Sequence, residues 1–220
     1  MASPALAFWY EFASPYSYLA AWRIEALATA AGCAVTWKPF LLGPIFARQG
    51  WSDSPFNLYP AKGNYLWRDM ARESARLGIL WRQPSTLPRN SLLAARMALA
   101  LEADAPDAPE RLIAFSKAVF AANFTQDQDI ADPAVLESLL ETLGLPVATV
   151  QEQATLPAIK DRLRHNTEAA MAAGLFGAPA FTVDRPSGQE LFWGNDRLEQ
   201  ALACACASTG EHAPERSAGD

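Results

Sequence analysis

FWYEFASPYSYLAAW, residues 8–22, sets an aromatic, apolar run against an alanine-rich helical pattern, with Ser14-Pro15 at the junction. The run that leads into it, LAFWYEF at 6–12, alternates poorly but is rich in aromatic residues, which favours a buried strand. Past the junction, residues 15–31 carry Leu19, Trp22, Ala26 and Leu27 at helical spacing. Pro15 fits the first helical position, where its missing N–H is no loss, and Gly32 stops the helix. CAVTWKPF at 33–40 reads as a second strand, so the opening segment is a βαβ unit.

A loop rich in Gly, Ser and Pro follows, and from about Lys62 to Gly174 the pattern is almost wholly helical, punctuated by Gly78, Pro84, Pro88, Pro106, Pro109, Pro133, Gly144, Pro146 and Pro157. No fixed period recurs, which argues against a solenoid. GAPAFTVD (177–184) and ELFWG (190–194) read as the arms of a hairpin around RPSGQ, and Asp196 reads as the cap of a short helix, RLEQALACA. The layout is α/β: a thioredoxin-like βαβ-ββα domain from residues 1–42 and 175–207, a loop and all-helical insertion from 43–174, and a disordered tail at 208–220.

Composition narrows the function. Half of the 220 residues are apolar, enough for a core without disulfide or metal support, and no metal site is expected. Net charge is −6 with no block of Lys or Arg, which disfavours nucleic acid and anionic membranes as partners. No stretch approaches the ~20 apolar residues of a membrane span. The amino end has no cationic leader and Glu11 interrupts its apolar run, so a cytoplasmic protein is expected. Cys33, Cys204 and Cys206 are an odd count without C-x-x-C and read as ordinary thiols.

Ser14 has two readings. Ser before Pro is a strong helix start, the side chain capping the first turn. A thioredoxin-type core also places the redox C-x-x-C of its disulfide-exchanging members in this slot, and here it holds Ser14-Pro15-Tyr16-Ser17. A hydroxyl cannot exchange disulfides. A hydroxyl donor at a helix amino terminus does suit a thiolate brought by another molecule: the two together supply roughly 2–3 kcal/mol, against about 1.4 kcal/mol per tenfold shift in ionisation. A hydrolase-type serine has little support, since G-x-S-x-G is missing and His165 and His212 lack a triad context.

FWYEFASPYSYLA, FGAPAFTVD…ELFWGNDRLEQAL, NLYPAKGNYLWRDM and PRNSLLAARMALA together resemble the 2-hydroxychromene-2-carboxylate isomerase family, relatives of kappa-class glutathione transferases. The resemblance spans about residues 6 to 203 and implies a homodimer with glutathione as cofactor. It implies that Ser14 sits beside the glutathione sulfur and is catalytic. It further implies that Ala178 pairs with glutathione through its backbone before a cis Pro179, and that Trp193, Gly194, Asn195 and Asp196 hold the γ-glutamyl end. Asn57, Lys62 and Asn90 fall where the family meets an aromatic carboxylate substrate, although Lys62 also reads as a solvated helix start and Asn90 as a cap. Leu58 stands where a basic residue can occur, so this loop departs from the family pattern. The implied reaction is transient addition of the thiolate to a conjugated carbon, ring opening, rotation, and release of the trans-benzylidenepyruvate. The alternatives are a kappa-type transferase that leaves glutathione on an electrophile, and a non-catalytic glutathione-binding protein.

Overall fold

The computed structural model describes residues 5–207. The opening unit is β1 (Ala5–Tyr10), α1 (Pro15–Ala31) and β2 (Ala34–Pro39). The insertion comprises α2 (Leu42–Arg48), α3 (Pro55–Leu58), α4 (Pro60–Leu77), α5 (Leu92–Asp104), α6 (Pro109–Phe124), α7 (Pro133–Thr142), α8 (Val147–Thr155) and α9 (Pro157–Ala172). The chain closes with β3 (Ala180–Arg185), β4 (Gly188–Trp193), a 3-10 turn (Asn195–Arg197) and α10 (Leu198–Ala207). The strands form one sheet in the order β2-β1-β3-β4. β1 runs parallel to β2, with Phe8 opposite Trp37, and antiparallel to β3, with Phe8 opposite Phe181. This is the expected βαβ-ββα arrangement, interrupted between β2 and β3 by helices.

β1 alternates poorly because both its faces are covered. Leu6, Phe8 and Tyr10 enter the main core, while Trp9 packs on the other side with Phe40, Ile45, Ala170 and Leu175. Phe8 lies against Tyr10 at 5.3 Å, Phe181 at 5.5 Å and, edge-on, Trp37 at 4.9 Å. Burying each such side chain contributes roughly 1.5–3 kcal/mol. The main cluster continues through Leu99 in α5, Phe120 in α6 and Leu163 in α9 to Leu202 in α10, so insertion and sheet share one apolar interior.

α1 starts and stops as its sequence requires. Ser14 caps it, Pro15 takes the first helical position, and Gly32 adopts the left-handed φ of 63° while Gly32 N and Cys33 N donate to Thr29 O and Ala28 O. Other boundaries differ from the sequence reading. The loop expected after β2 contains α2 and α3: Pro55 takes the first helical position of α3, and Pro44 sits third in α2, where its missing N–H costs no intrahelical bond. VATVQEQAT forms α8, which the apolar spacing alone did not announce. Asp196 does not cap α10: it lies within the 3-10 turn that feeds the helix, its carboxylate paired with Arg197 at 2.8 Å. The tail expected to be disordered lies outside the described residues. Among the described residues no helix is long and apolar enough to cross a membrane.

Candidate active site

Ser14 closes the turn after β1, its N–H donating to Glu11 O at 3.0 Å. Its Oγ accepts from Ser17 N at 3.2 Å, which is the cap, and donates to Ala178 O at 2.9 Å, which joins the two ends of the chain. The Ala178–Pro179 peptide is cis. The β3–β4 register sets Ala180 opposite Trp193, so Pro179 lies beside Gly194, whose N–H donates to Pro179 O at 3.0 Å. Pairing thus makes neighbours of the two late motifs and brings both to Ser14. Gly194 has φ 111°, a conformation that requires glycine.

A cavity of about 1010 Å³ opens here, at the upper end of the usual range for small-molecule sites. Ser14, Ala178 and Trp193 line it, with Tyr16, Phe46, Trp51, Phe56 and Tyr65 giving it an aromatic wall. Asp69 accepts from both Tyr16, at 2.7 Å, and Tyr65, at 3.2 Å, fixing α1 to α4. Burial and the Asp69 acceptor push the Tyr16 phenol far above its ordinary value, so it stays neutral.

Among the described residues, two cations reach the cavity. Arg89 is buried and committed: it donates to Asn123 Oδ1 at 2.8 Å and to Asp127 Oδ1 at 2.5 Å. Asn123 in turn donates to Phe12 O at 3.1 Å, fixing the turn that carries Ser14. Lys62 is exposed, with no ion pair among the described residues, and is available to an anionic ligand.

The remaining expected residues are placed as follows. Asn90 lines the cavity, and its Oδ1 caps α5 by accepting from Leu92 N at 2.9 Å. Asn57 stands off the wall, its amide donating to Asp53 Oδ2 at 3.0 Å and Leu87 O at 3.1 Å. Asn195 is buried and accepts from Arg23 at 2.9 Å, so its side chain serves the junction of α1 with the 3-10 turn. Asp196 is exposed beside Gly194.

Glu11 is a wall residue that no motif marks. It lines the cavity at 6 % exposure, its Oε2 accepting from Ala13 N at 2.8 Å and its Oε1 from the Ser91 hydroxyl. Burial pushes its carboxyl up to about 7, against the smaller opposing effect of those two donors. The signal was one charged residue inside LAFWYEF. His165 is exposed on α9 and His212 lies outside the described residues. Among the described residues no disulfide forms and no cluster of three or more His, Cys, Asp or Glu could hold a metal ion.

The family model of the DSBA-like thioredoxin domain matches residues 5–203. The chain belongs to that family. It is similar to the 2-hydroxychromene-2-carboxylate isomerase of Sphingobium xenophagum, 29% identical over 193 residues that cover 87% of this chain and 93% of the relative. Human glutathione S-transferase kappa 1 is 28% identical over 199 residues, covering 86% and 85%. A solved 2-hydroxychromene-2-carboxylate isomerase superposes with a TM-score of 0.77 at 25% identity, covering 93% of this chain and 97% of that one.

Proposed function

We propose that this DSBA-like protein is a glutathione-dependent isomerase that converts 2-hydroxychromene-2-carboxylate-type aromatic acids to trans-benzylidenepyruvates. The observation that carries the reading is Ser14: a hydroxyl donor at the amino end of a 17-residue helix, bonded to the backbone beside a cis proline, at an aromatic-walled cavity. Isomerases and kappa transferases among the relatives support it.

The residues present fit the cofactor. Bound glutathione supplies the nucleophilic sulfur. The α1 terminus carries roughly half a unit of positive charge toward that position. Ser14 Oγ, which donates to Ala178 O, would turn its proton toward a bound sulfur, and the Ala178 carbonyl would then be open to an amide donor of the tripeptide. Trp193 and Gly194 would hold the γ-glutamyl end, the Asp196 carboxylate would take its ammonium, and Asn195 holds the turn in place through Arg23. Lys62 pairs with the substrate carboxylate, and Asn90 offers the amide nitrogen that its capping role leaves over. Asn57 acts indirectly, by tying α3 to the segment before Asn90. The aromatic wall excludes water from the fused ring.

Mass spectrometry of products tests the reading. Hydroxychromene carboxylates incubated with protein and glutathione should give an isomer of unchanged mass, with no turnover when glutathione is omitted. A stable conjugate instead establishes the kappa-type transferase, which the human relative favours. Glutathione binding without any turnover establishes a binding protein.

A further inference from the structure

We infer that Glu11 accepts the sulfhydryl proton when glutathione binds, so that the site exchanges a carboxylate for a thiolate at constant net charge. The inference rests on the glutathione reading above and deepens it: binding a thiolate releases a proton, and the buried end of the cavity needs somewhere to put it.

Ser14 cannot take that proton. Its oxygen already accepts from Ser17 N, and its role is to donate. Among the described residues, the other titratable and charged groups on the wall are Tyr16, Asp53, Lys62, Tyr65 and Arg89. Tyr16 and Tyr65 donate to Asp69, and Arg89 is held by Asn123 and Asp127. Asp53 is exposed and turned to the Ser54 and Asn57 nitrogens at 2.6 and 3.0 Å. Lys62 is a cation with no acceptor capacity. At the end of β1, next to Glu11, the Tyr10 hydroxyl is engaged with Ser116 at 2.8 Å. That leaves Glu11, a buried carboxyl two residues from the Ala13 N–H that it binds and three from Ser14, with no cation paired to it among the described residues.

Its partners suit both charge states. Ser91 Oγ donates to the carboxylate, and after proton transfer it accepts from the carboxylic acid by rotating its own hydrogen. Ala13 N donates to Oε2 throughout. The transfer is balanced: the S–H proton moves to Oε1, the bonding pair stays on sulfur, and the charge moves with it. A carboxylate and a thiolate in one buried site repel, so one proton is shared between them. Burial holds the Glu11 carboxyl at about 7, where it exchanges protons readily.

Calorimetric titration of glutathione in buffers of different ionisation enthalpy counts the protons released. At about pH 8, above the Glu11 titration, the wild type should release close to none per glutathione and E11Q close to one, with ultraviolet thiolate absorbance in both. Difference infrared spectroscopy of the wild type needs no variant: glutathione should raise a protonated-carboxyl band, and S-methylglutathione, which has no proton to give, should not. Glutathione binding with close to one proton released by the wild type, or without the carboxyl band, overturns the role of Glu11 and leaves glutathione binding intact. No binding by the wild type overturns both.

Discussion

A Cβ built on Gly177 stands 2.4 Å from Nε1 of Trp193, so the indole lies where any larger residue would put its side chain. Trp193 is half exposed and packs against Phe176 at 4.8 Å, so it can swing outward at little cost to the fold. Gly177→Ala should therefore leave the melting temperature within a few degrees of the wild type while weakening glutathione binding about fivefold or more. Calorimetry beside thermal melting checks this. A variant that binds like the wild type removes Trp193 from the site.

Ser14→Ala deletes a cap and a donor together. Loss of the cap costs about 1 kcal/mol, a shift of a few degrees in melting. Turnover with saturating glutathione should fall about tenfold or more, the size expected for one hydrogen bond to a charged acceptor. Turnover that follows stability alone would return Ser14 to the cap.

Glu11 predicts an unusual pH dependence of stability. Below its ordinary 4.5 the carboxyl is neutral whether folded or unfolded and contributes nothing. As the pH rises from 4.5 toward about 7 the unfolded chain ionises first, so the folded state loses stability, by about 3 kcal/mol once both are charged. Gln mimics the neutral acid toward Ala13 N and Ser91. Glu11→Gln should thus gain on the wild type between about pH 4 and pH 8, as denaturant melts at the two ends will read. A constant difference would mean the wild-type carboxyl titrates normally.

Arg89→Met removes the guanidinium that holds Asn123 and Asp127, at a cost of about 2–3 kcal/mol in urea unfolding. Arg89→Lys should rescue little, since one ammonium cannot span both partners. The Ser85 N–H and Arg89 hold the Asp127 carboxyl down at about 2, so this network stabilises the fold above about pH 4 and lets go as acid approaches 2. The acid limb should flatten in the Met variant.

Legibility in the sequence followed locality. Helix α1 was readable end to end because Ser14, Pro15 and Gly32 each act within a turn of themselves. Helices α2 and α3 were not, because Pro44 and Pro55 start a helix or break a chain depending on the residues around them. The site divides the same way. Ser14, Trp193 and Lys62 stood in motifs and meet at the cavity, whereas the commitment of Asn195 to Arg23, and of Asn57 to Leu87, depends on contacts no spacing encodes. Glu11 was visible as a charge in an aromatic run, just past the end of β1, yet its meaning needed Ser91, brought from beyond α4.

The pairing of Trp9 with Ala180 has a consequence for biosynthesis. β1 and β2 emerge early, but the antiparallel neighbour of β1 follows only after the whole insertion, so its edge waits unpaired while most of the chain is made. The bond between Ser14 and Ala178 forms at the end of that wait. A polypeptide cut short before residue 178 would keep the cap of its first helix and lack the bond that joins the two ends of the chain.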